Sequence, residues 1–112
     1  MFSVIARSKA TKQAQPVPES MSEKRLQLLI SGRVQGVCFR AAARRQAQTL
    51  NLAGYARNLP DGRVEIAAEG EEVSLRSFLR WAGRGPSGAR VDDISVRWEA
   101  PEKTFSAFEI RW

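Results

Sequence analysis

The chain has 112 residues, which is enough for one domain with a single two-layer core, and no apolar run is long enough to cross a bilayer. Its formal net charge is +6, which suits an anionic partner but does not distinguish nucleic acid from a small phosphate compound. A single cysteine, Cys38, excludes an intramolecular disulfide, and the absence of histidine excludes an imidazole base and a histidine-ligated metal.

The first 22 residues differ in composition from the rest of the chain. They are rich in Ser, Ala, Gln, Lys and Pro and have neither helical nor strand periodicity, so we predict a disordered tail over residues 1–22 and a domain over residues 23–112. The tail has no apolar stretch of the secretory type, and its early basic residues only faintly resemble an organelle transit peptide. We therefore expect a cytoplasmic protein, with Met21 as a candidate translation start.

Regular patterns begin at Leu26. Alternating apolar residues predict strands, and apolar residues spaced three and four apart predict helices. The predicted elements are, in chain order, a strand over residues 26–34, a helix over 39–50, strands over 54–58 and 63–69, a helix opened by Gly70, Glu71 and Glu72 and ended near Gly83, a strand over 91–98, and a last strand marked by Phe108, Ile110 and Trp112.

This order predicts the fold class. The turn Pro60-Asp61-Gly62 joins two alternating segments and indicates a hairpin. The sequence β-α-β-β-α-β plus a C-terminal strand is typical of an α+β, ferredoxin-like fold, with two helices on one face of a mainly antiparallel sheet. In the penultimate strand we expect Ile94, Val96 and Trp98 to face inward, and we expect all three tryptophans to pack in the core or at its edge.

The segment between the first strand and the first helix is a candidate anion site. A helix N-terminus offers unpaired amide hydrogens and a partial positive charge, and Gly36 permits a backbone curl around an anion. Arg40, in the first helical turn, can add a guanidinium to that cradle. An ordinary loop followed by a solvated arginine explains the same pattern equally well on general grounds.

Two motifs decide between these interpretations. The first resembles the acylphosphatase signature G-x-V-Q-G-V-x-F-R and is matched at Gly32, Val34, Gln35, Gly36, Val37, Phe39 and Arg40. The second resembles the next signature of that family and is matched by Gly54-Tyr55-Ala56-Arg57-Asn58, with Gly62, Val64 and Gly70 at the family's spacing. The resemblance extends from about residue 24 to residue 112.

The resemblance implies hydrolysis of acyl phosphates to a carboxylate and inorganic phosphate. We expect no metal or cofactor, because the sequence has no Cys/His/Asp cluster, and a monomer is the default expectation. Inorganic phosphate is then the product and an expected competitive inhibitor. The resemblance gives Asn58 the role of positioning the attacking water, with Arg40 as the second catalytic residue. The implied phosphate-binding loop comprises Gln35, Gly36, Val37, Cys38, Phe39 and Arg40.

The chemistry of this substrate class agrees with the composition. A carboxylate leaving group has a conjugate acid with a pKa of about 4, so its departure needs no general acid. An asparagine side chain is a poor base, and Asn58 would therefore orient the water, with a phosphate oxygen of the substrate taking the proton. Without the motif, a turn residue that caps the hairpin is the better explanation of Asn58.

Four alternatives stay open. The same fold hosts nucleic-acid binders, although the strand over residues 63–69 lacks the aromatic residues that stack bases. The domain could instead act mainly on carbamoyl phosphate, or serve as an anion-binding regulatory module. Cys38 could be a nucleophile, but no acid lies near it in sequence and we interpret it as a small packing residue.

Overall fold

The computed structural model of the protein describes residues 22–112. The predicted disordered tail, except for Ser22, and the candidate start at Met21 lie outside the described residues. Seven elements follow one another in the predicted order: β1 (Glu23–Arg33), α1 (Phe39–Thr49), β2 (Ala53–Asn58), β3 (Val64–Glu71), α2 (Glu72–Ala82), β4 (Arg90–Glu99) and β5 (Phe108–Arg111). No helix within residues 22–112 has the length and apolar character needed to span a membrane.

The five strands form one sheet in the order β4-β1-β3-β2-β5. The β1–β3, β1–β4 and β2–β3 pairs are antiparallel, whereas β2 and β5 run parallel. With both helices packed on this sheet, the predicted ferredoxin-like α+β fold and the β2–β3 hairpin are confirmed. Because β3 lies between β1 and β2, the end of β1 and the end of β2 are not hydrogen-bonded neighbours.

One boundary prediction is wrong. Gly70 and Glu71 belong to β3 and not to the start of the second helix, since Lys24 and Glu23 pair with them in the β1–β3 ladder. The helix begins at Glu72, where the backbone leaves the sheet. The main-chain pairing of Gly70 and Glu71 with β1 therefore decides their structure, although consecutive acidic residues favour the start of a helix.

The core lies between the helices and the apolar face of the sheet. Alternate residues of the two central strands are fully buried there, as the period of two requires: Leu26, Leu28 and Ile30 from β1, and Val64, Ile66 and Ala68 from β3. Helix α1 contributes mainly alanines, which let its backbone approach the sheet closely. Helix α2 contributes Leu75, Phe78 and Ala82 at the predicted spacing.

The tryptophans divide between buried and exposed positions. Trp81 packs against Phe39, with ring centroids 5.4 Å apart, and Trp98 is half-buried against the core. Val96 lies on the same face of β4 as Trp98 and shares its core-facing side, but it is 42% exposed and is not buried in the core. The physical reason is that β4 is the outermost strand of the sheet, beyond the cover that α2 gives to β1 and β3.

Residues 100–107 form a strap across the face of the sheet opposite the helices. Phe105 of the strap packs against Tyr55 of β2, with ring centroids 5.9 Å apart. The carboxylate of Glu69 accepts hydrogen bonds from the amides of Glu102 (2.9 Å) and Lys103 (3.0 Å) and from Arg25 Nη1 (3.0 Å). Burial alone would raise the pKa of the Glu69 carboxyl, but these hydrogen bonds outweigh burial and hold that pKa below its ordinary value.

Candidate active site

The β1–α1 loop curls through two left-handed backbone positions. Gly36 has φ +77°, a conformation that glycine adopts without steric cost, and Cys38 has φ +61° at the N-cap of α1. The Cys38 side chain makes no capping hydrogen bond, and the first turn of α1 contains no acidic residue. The amide hydrogens and partial positive charge at this helix end are therefore left for an external anion.

A cavity of about 350 Å³ opens at this loop. It brings together the two residues that the sequence predicts to be catalytic, Arg40 from the first turn of α1 and Asn58 from the end of β2. Its remaining lining comes from the loop, from α1 and from the C-terminal segment: Val34, Gly36, Cys38, Phe39, Ala41, Ile110 and Trp112. Helix α1 and strand β2 thus each supply a polar side chain to the same cavity.

The Arg40 guanidinium is held from two sides. Its Nη1 donates a hydrogen bond to the main-chain oxygen of Arg111 at 2.9 Å, and its Cζ lies 4.1 Å from the ring centroid of Trp112. No carboxylate among residues 22–112 forms an ion pair with Arg40. A guanidinium has five N–H donors, so this anchoring fixes its plane while leaving donors for an anion in the cavity.

Sequence reasoning misplaced Trp112. We expected it in the core or at its edge, yet it is 93% exposed and covers one face of Arg40. The alternation of Phe108, Ile110 and Trp112 correctly puts all three on one face, but β5 ends at Arg111 and Trp112 extends beyond the core. No local sequence signal links this tryptophan to an arginine at the start of α1.

Asn58 lies at the last position of β2, where it pairs with Val64 of β3. Its carboxamide makes no side-chain hydrogen bond within the described part of the chain. The hairpin turn is instead closed by main-chain bonds and by the Asp61 carboxylate, which accepts from the Arg63 amide at 3.1 Å. The structure therefore gives no support to a capping role for Asn58 and leaves its amide group available to the cavity.

The other members of the predicted loop separate into two groups. Gly36, Cys38 and Phe39 line the cavity, whereas Gln35 and Val37 do not. Val37 packs partly buried against the core, and the Gln35 side chain points to the β2–β3 turn, where Nε2 donates to the main-chain oxygens of Leu59 (2.8 Å) and Arg63 (3.0 Å). For these two residues only the main-chain amides remain candidates for contact with an anion.

Cys38 is exposed, so its interpretation as a small packing residue is wrong. The left-handed backbone at the N-cap directs this position away from the core, toward the cavity that it lines. Among residues 22–112, no three Cys, Asp or Glu side chains lie together in a metal-binding arrangement. The polar groups gathered at the cavity are thus a guanidinium, a carboxamide, a thiol and main-chain amides.

Comparison with known proteins assigns the chain to a family. The family described as Acylphosphatase matches residues 26–110. The chain is 47% identical over 88 residues to an acylphosphatase of Anaeromyxobacter dehalogenans, covering 79% of this chain and 95% of the relative. It is 50% identical over 86 residues to the acylphosphatase of Thermus thermophilus, covering 75% and 98%. The crystal structure of acylphosphatase from Bacillus subtilis superposes with a TM-score of 0.77 at 38% identity, covering 80% of this chain and 99% of that one.

Proposed function

The chain belongs to the acylphosphatase family and is a hydrolase of acyl phosphates, and we propose that Arg40 and the loop amides hold the phosphate while Asn58 positions the attacking water. One observation carries this assignment of roles. Arg40 and Asn58, which are contributed by α1 and β2, line the same cavity at the N-terminal end of α1. A phosphoryl group bound there contacts a cation and a helix N-terminus on one side and a carboxamide on the other.

Phosphate binding in this proposal uses groups that are already oriented. The hydrogen bond to Arg111 and the indole of Trp112 restrict the Arg40 side chain, so little conformational entropy is lost when it binds an anion. The amides of residues 35–40 supply further donors, because Cys38 does not cap the helix. Charge on the phosphoryl oxygens is stabilised by fixed donors in this way during the transfer.

Asn58 acts on the water. Its carboxamide oxygen accepts a hydrogen bond from the water and directs a lone pair toward phosphorus, opposite the acyl oxygen. The new O–P bond forms as the acyl O–P bond breaks, the carboxylate leaves with its electron pair, and a phosphate oxygen takes the proton of the water. No residue has to act as a base, which agrees with the absence of histidine from the chain.

We further propose that turnover is independent of metal and that inorganic phosphate competes with substrate. A carboxylate leaves readily without Lewis acid assistance, and the product phosphate fits the same cradle as the substrate phosphoryl group. A cytoplasmic monomer is the proposed state of the protein. Both sheet edges are poorly suited to strand addition, since β4 carries charged residues along its length and β5 has only four residues.

The test is hydrolysis of an aryl acyl phosphate in the presence of EDTA, with inorganic phosphate as a competitor. Arg40→Gln should lose both phosphate binding and turnover, whereas Arg44→Gln, the same change at an exposed position one turn along α1, should lose neither. Asn58→Ala should lower kcat by about 10²-fold and leave the Ki for phosphate nearly unchanged. Full turnover by Asn58→Ala, or turnover that EDTA abolishes, would overturn the proposal. Carbamoyl phosphate in the same assay compares the alternative substrate directly.

A further inference from the structure

We propose that the side chain of Gln35 is a positioning residue that sets the location of Asn58 relative to the phosphate-binding loop. This inference rests on the proposed function of Asn58. The amide nitrogen of Gln35 has two hydrogens, and both are used: one is donated to the Leu59 oxygen at 2.8 Å and the other to the Arg63 oxygen at 3.0 Å. The side chain is therefore committed to the protein and is not a ligand for phosphate.

The two oxygens that accept these hydrogens belong to the turn that follows Asn58. The Leu59 oxygen also accepts from the Gly62 amide (3.1 Å), and the Arg63 oxygen also accepts from the Leu59 amide (2.8 Å). Each carbonyl has two lone pairs and can accept both bonds. Gln35 thus joins the hydrogen-bonded ring that closes the turn, and it does so at the residue adjacent to Asn58.

The sheet does not provide this connection by itself. The β1–β3 ladder ends at the pair of Ile30 and Val64, and β3 separates β1 from β2. Two strand spacings, roughly 10 Å, therefore lie between the β1 end and the β2 end. Beyond Ile30, the Gln35 side chain is a direct polar link from the loop preceding α1 to the turn following β2.

In-line attack on phosphorus requires the water to be placed accurately, so the rate is sensitive to small displacements of Asn58. A displacement of about 1 Å in a group that orients a reactant can lower the rate by about 10²-fold. Phosphate binding depends mainly on Arg40, whose guanidinium keeps its hydrogen bond to the Arg111 oxygen when the Gln35 side chain is changed. Loss of the Gln35 side chain should accordingly affect the chemical step more than it affects phosphate affinity.

A double-mutant cycle tests this mechanism. We expect Gln35→Ala to lower kcat by about 10- to 100-fold, with the Ki for inorganic phosphate changed by less than about 3-fold. In the Asn58→Ala background the same substitution should cost less than about 2-fold, because no carboxamide is left to position. An equal loss of kcat in both backgrounds, or a loss of phosphate affinity that matches the loss of kcat, would overturn the inference.

Gln35→Glu provides a second measurement if the alanine variant folds poorly. The ionised carboxylate cannot donate and repels both carbonyl oxygens, so kcat at pH 7 should fall as in Gln35→Ala. The two carbonyl oxygens disfavour the anion, so this carboxyl should titrate above the ordinary glutamate pKa of about 4.3. Protonation restores one donor, and the kcat of Gln35→Glu relative to wild type should rise as the pH is lowered through that titration. Wild-type kcat for Gln35→Glu at pH 7 would refute the positioning role. If Asn58→Ala itself keeps full turnover, the proposed function fails; if only the Gln35 variants do, this inference alone fails.

Discussion

Replacing Glu69 with glutamine removes one negative charge from beneath the strap while preserving the shape of the side chain. The wild-type carboxylate accepts three hydrogen bonds, two at Oε2 from Arg25 and the Glu102 amide and one at Oε1 from the Lys103 amide. A glutamine has only one acceptor oxygen. In its best orientation that oxygen replaces Oε2, and its NH₂ group then faces the Lys103 amide, donor against donor.

The size of the effect follows from these contacts. An unsatisfied, partly buried amide costs about 1–3 kcal/mol. The bond from the Glu102 amide changes from charge-assisted to neutral, and the bond from Arg25 loses its anionic partner, each at a loss of about 1 kcal/mol. Glu99 and Glu102 also pair with Arg25 and compensate part of that loss. We therefore expect Glu69→Gln to lower the free energy of unfolding by about 2–4 kcal/mol at pH 7.

The same interaction predicts how the difference depends on pH. The lowered pKa of Glu69 means that its contribution is fully present above its unfolded pKa of about 4.3 and is lost as the pH falls through the lower pKa of the folded state. Glutamine does not titrate. The stability difference between wild type and Glu69→Gln should consequently be constant between pH 6 and 8 and should shrink below about pH 4.

Urea denaturation followed by circular dichroism measures both quantities. With an m value of about 1–1.5 kcal/mol/M, the midpoint of Glu69→Gln should lie roughly 2 M below that of wild type. Glu71→Gln is the matched control, because it removes the same charge from an exposed position on the same strand. If the two variants lose equal stability, or if the Glu69→Gln difference persists unchanged in acid, the anchoring of the strap by Glu69 is refuted.

Three further predictions concern the sheet, the cavity and the core. Gly54→Ala should prevent stable folding, because φ is +147° and the added Cβ would lie 1.9 Å from a carbonyl oxygen of β3. Gly62→Ala is the control: its Cβ would lie in open space, and the free energy of unfolding measured by heat or urea should fall by only about 1–2 kcal/mol. Trp112→Ala removes the indole from Arg40, and the Ki for inorganic phosphate should rise about 2- to 5-fold with the fold unchanged by circular dichroism. Phe78→Ala should lower the free energy of unfolding by about 3–5 kcal/mol, since this ring is fully buried; a loss below 1 kcal/mol would contradict the packing described.

The sequence predicts a strand or helix well where its apolar residues recur at regular spacing within that element. The alternation of Leu26, Leu28 and Ile30 identifies the core face of β1, and the spacing of Leu75, Phe78 and Ala82 identifies that of α2. The order of these elements then restricts the fold to the ferredoxin-like class, which the comparisons confirm. The assignment of each element and its buried face depends only on residues that are two positions apart in a strand or three to four apart in a helix.

The predictions fail where partners distant in sequence decide the outcome. The motif correctly puts Gln35 in the loop, but the direction of its side chain depends on carbonyl groups in the β2–β3 turn. Val96 shares a face with Ile94, and only the position of β4 at the sheet edge explains its exposure. Trp112 likewise reaches Arg40 because β5 pairs with β2, a pairing that neither strand indicates alone.

The strand order also has a kinetic consequence. Within residues 22–112, only the β2–β3 hairpin joins strands that are consecutive in the chain. Strand β1 must find both β3 and β4, and β5 must find β2, across intervening helices. In each of these pairings a long loop must close, and lose conformational entropy, before any stabilising contact between the strands can form. Refolding from denaturant should accordingly take milliseconds to seconds, not microseconds, and the rate should be limited by the pairing of β1 with β3 and β4.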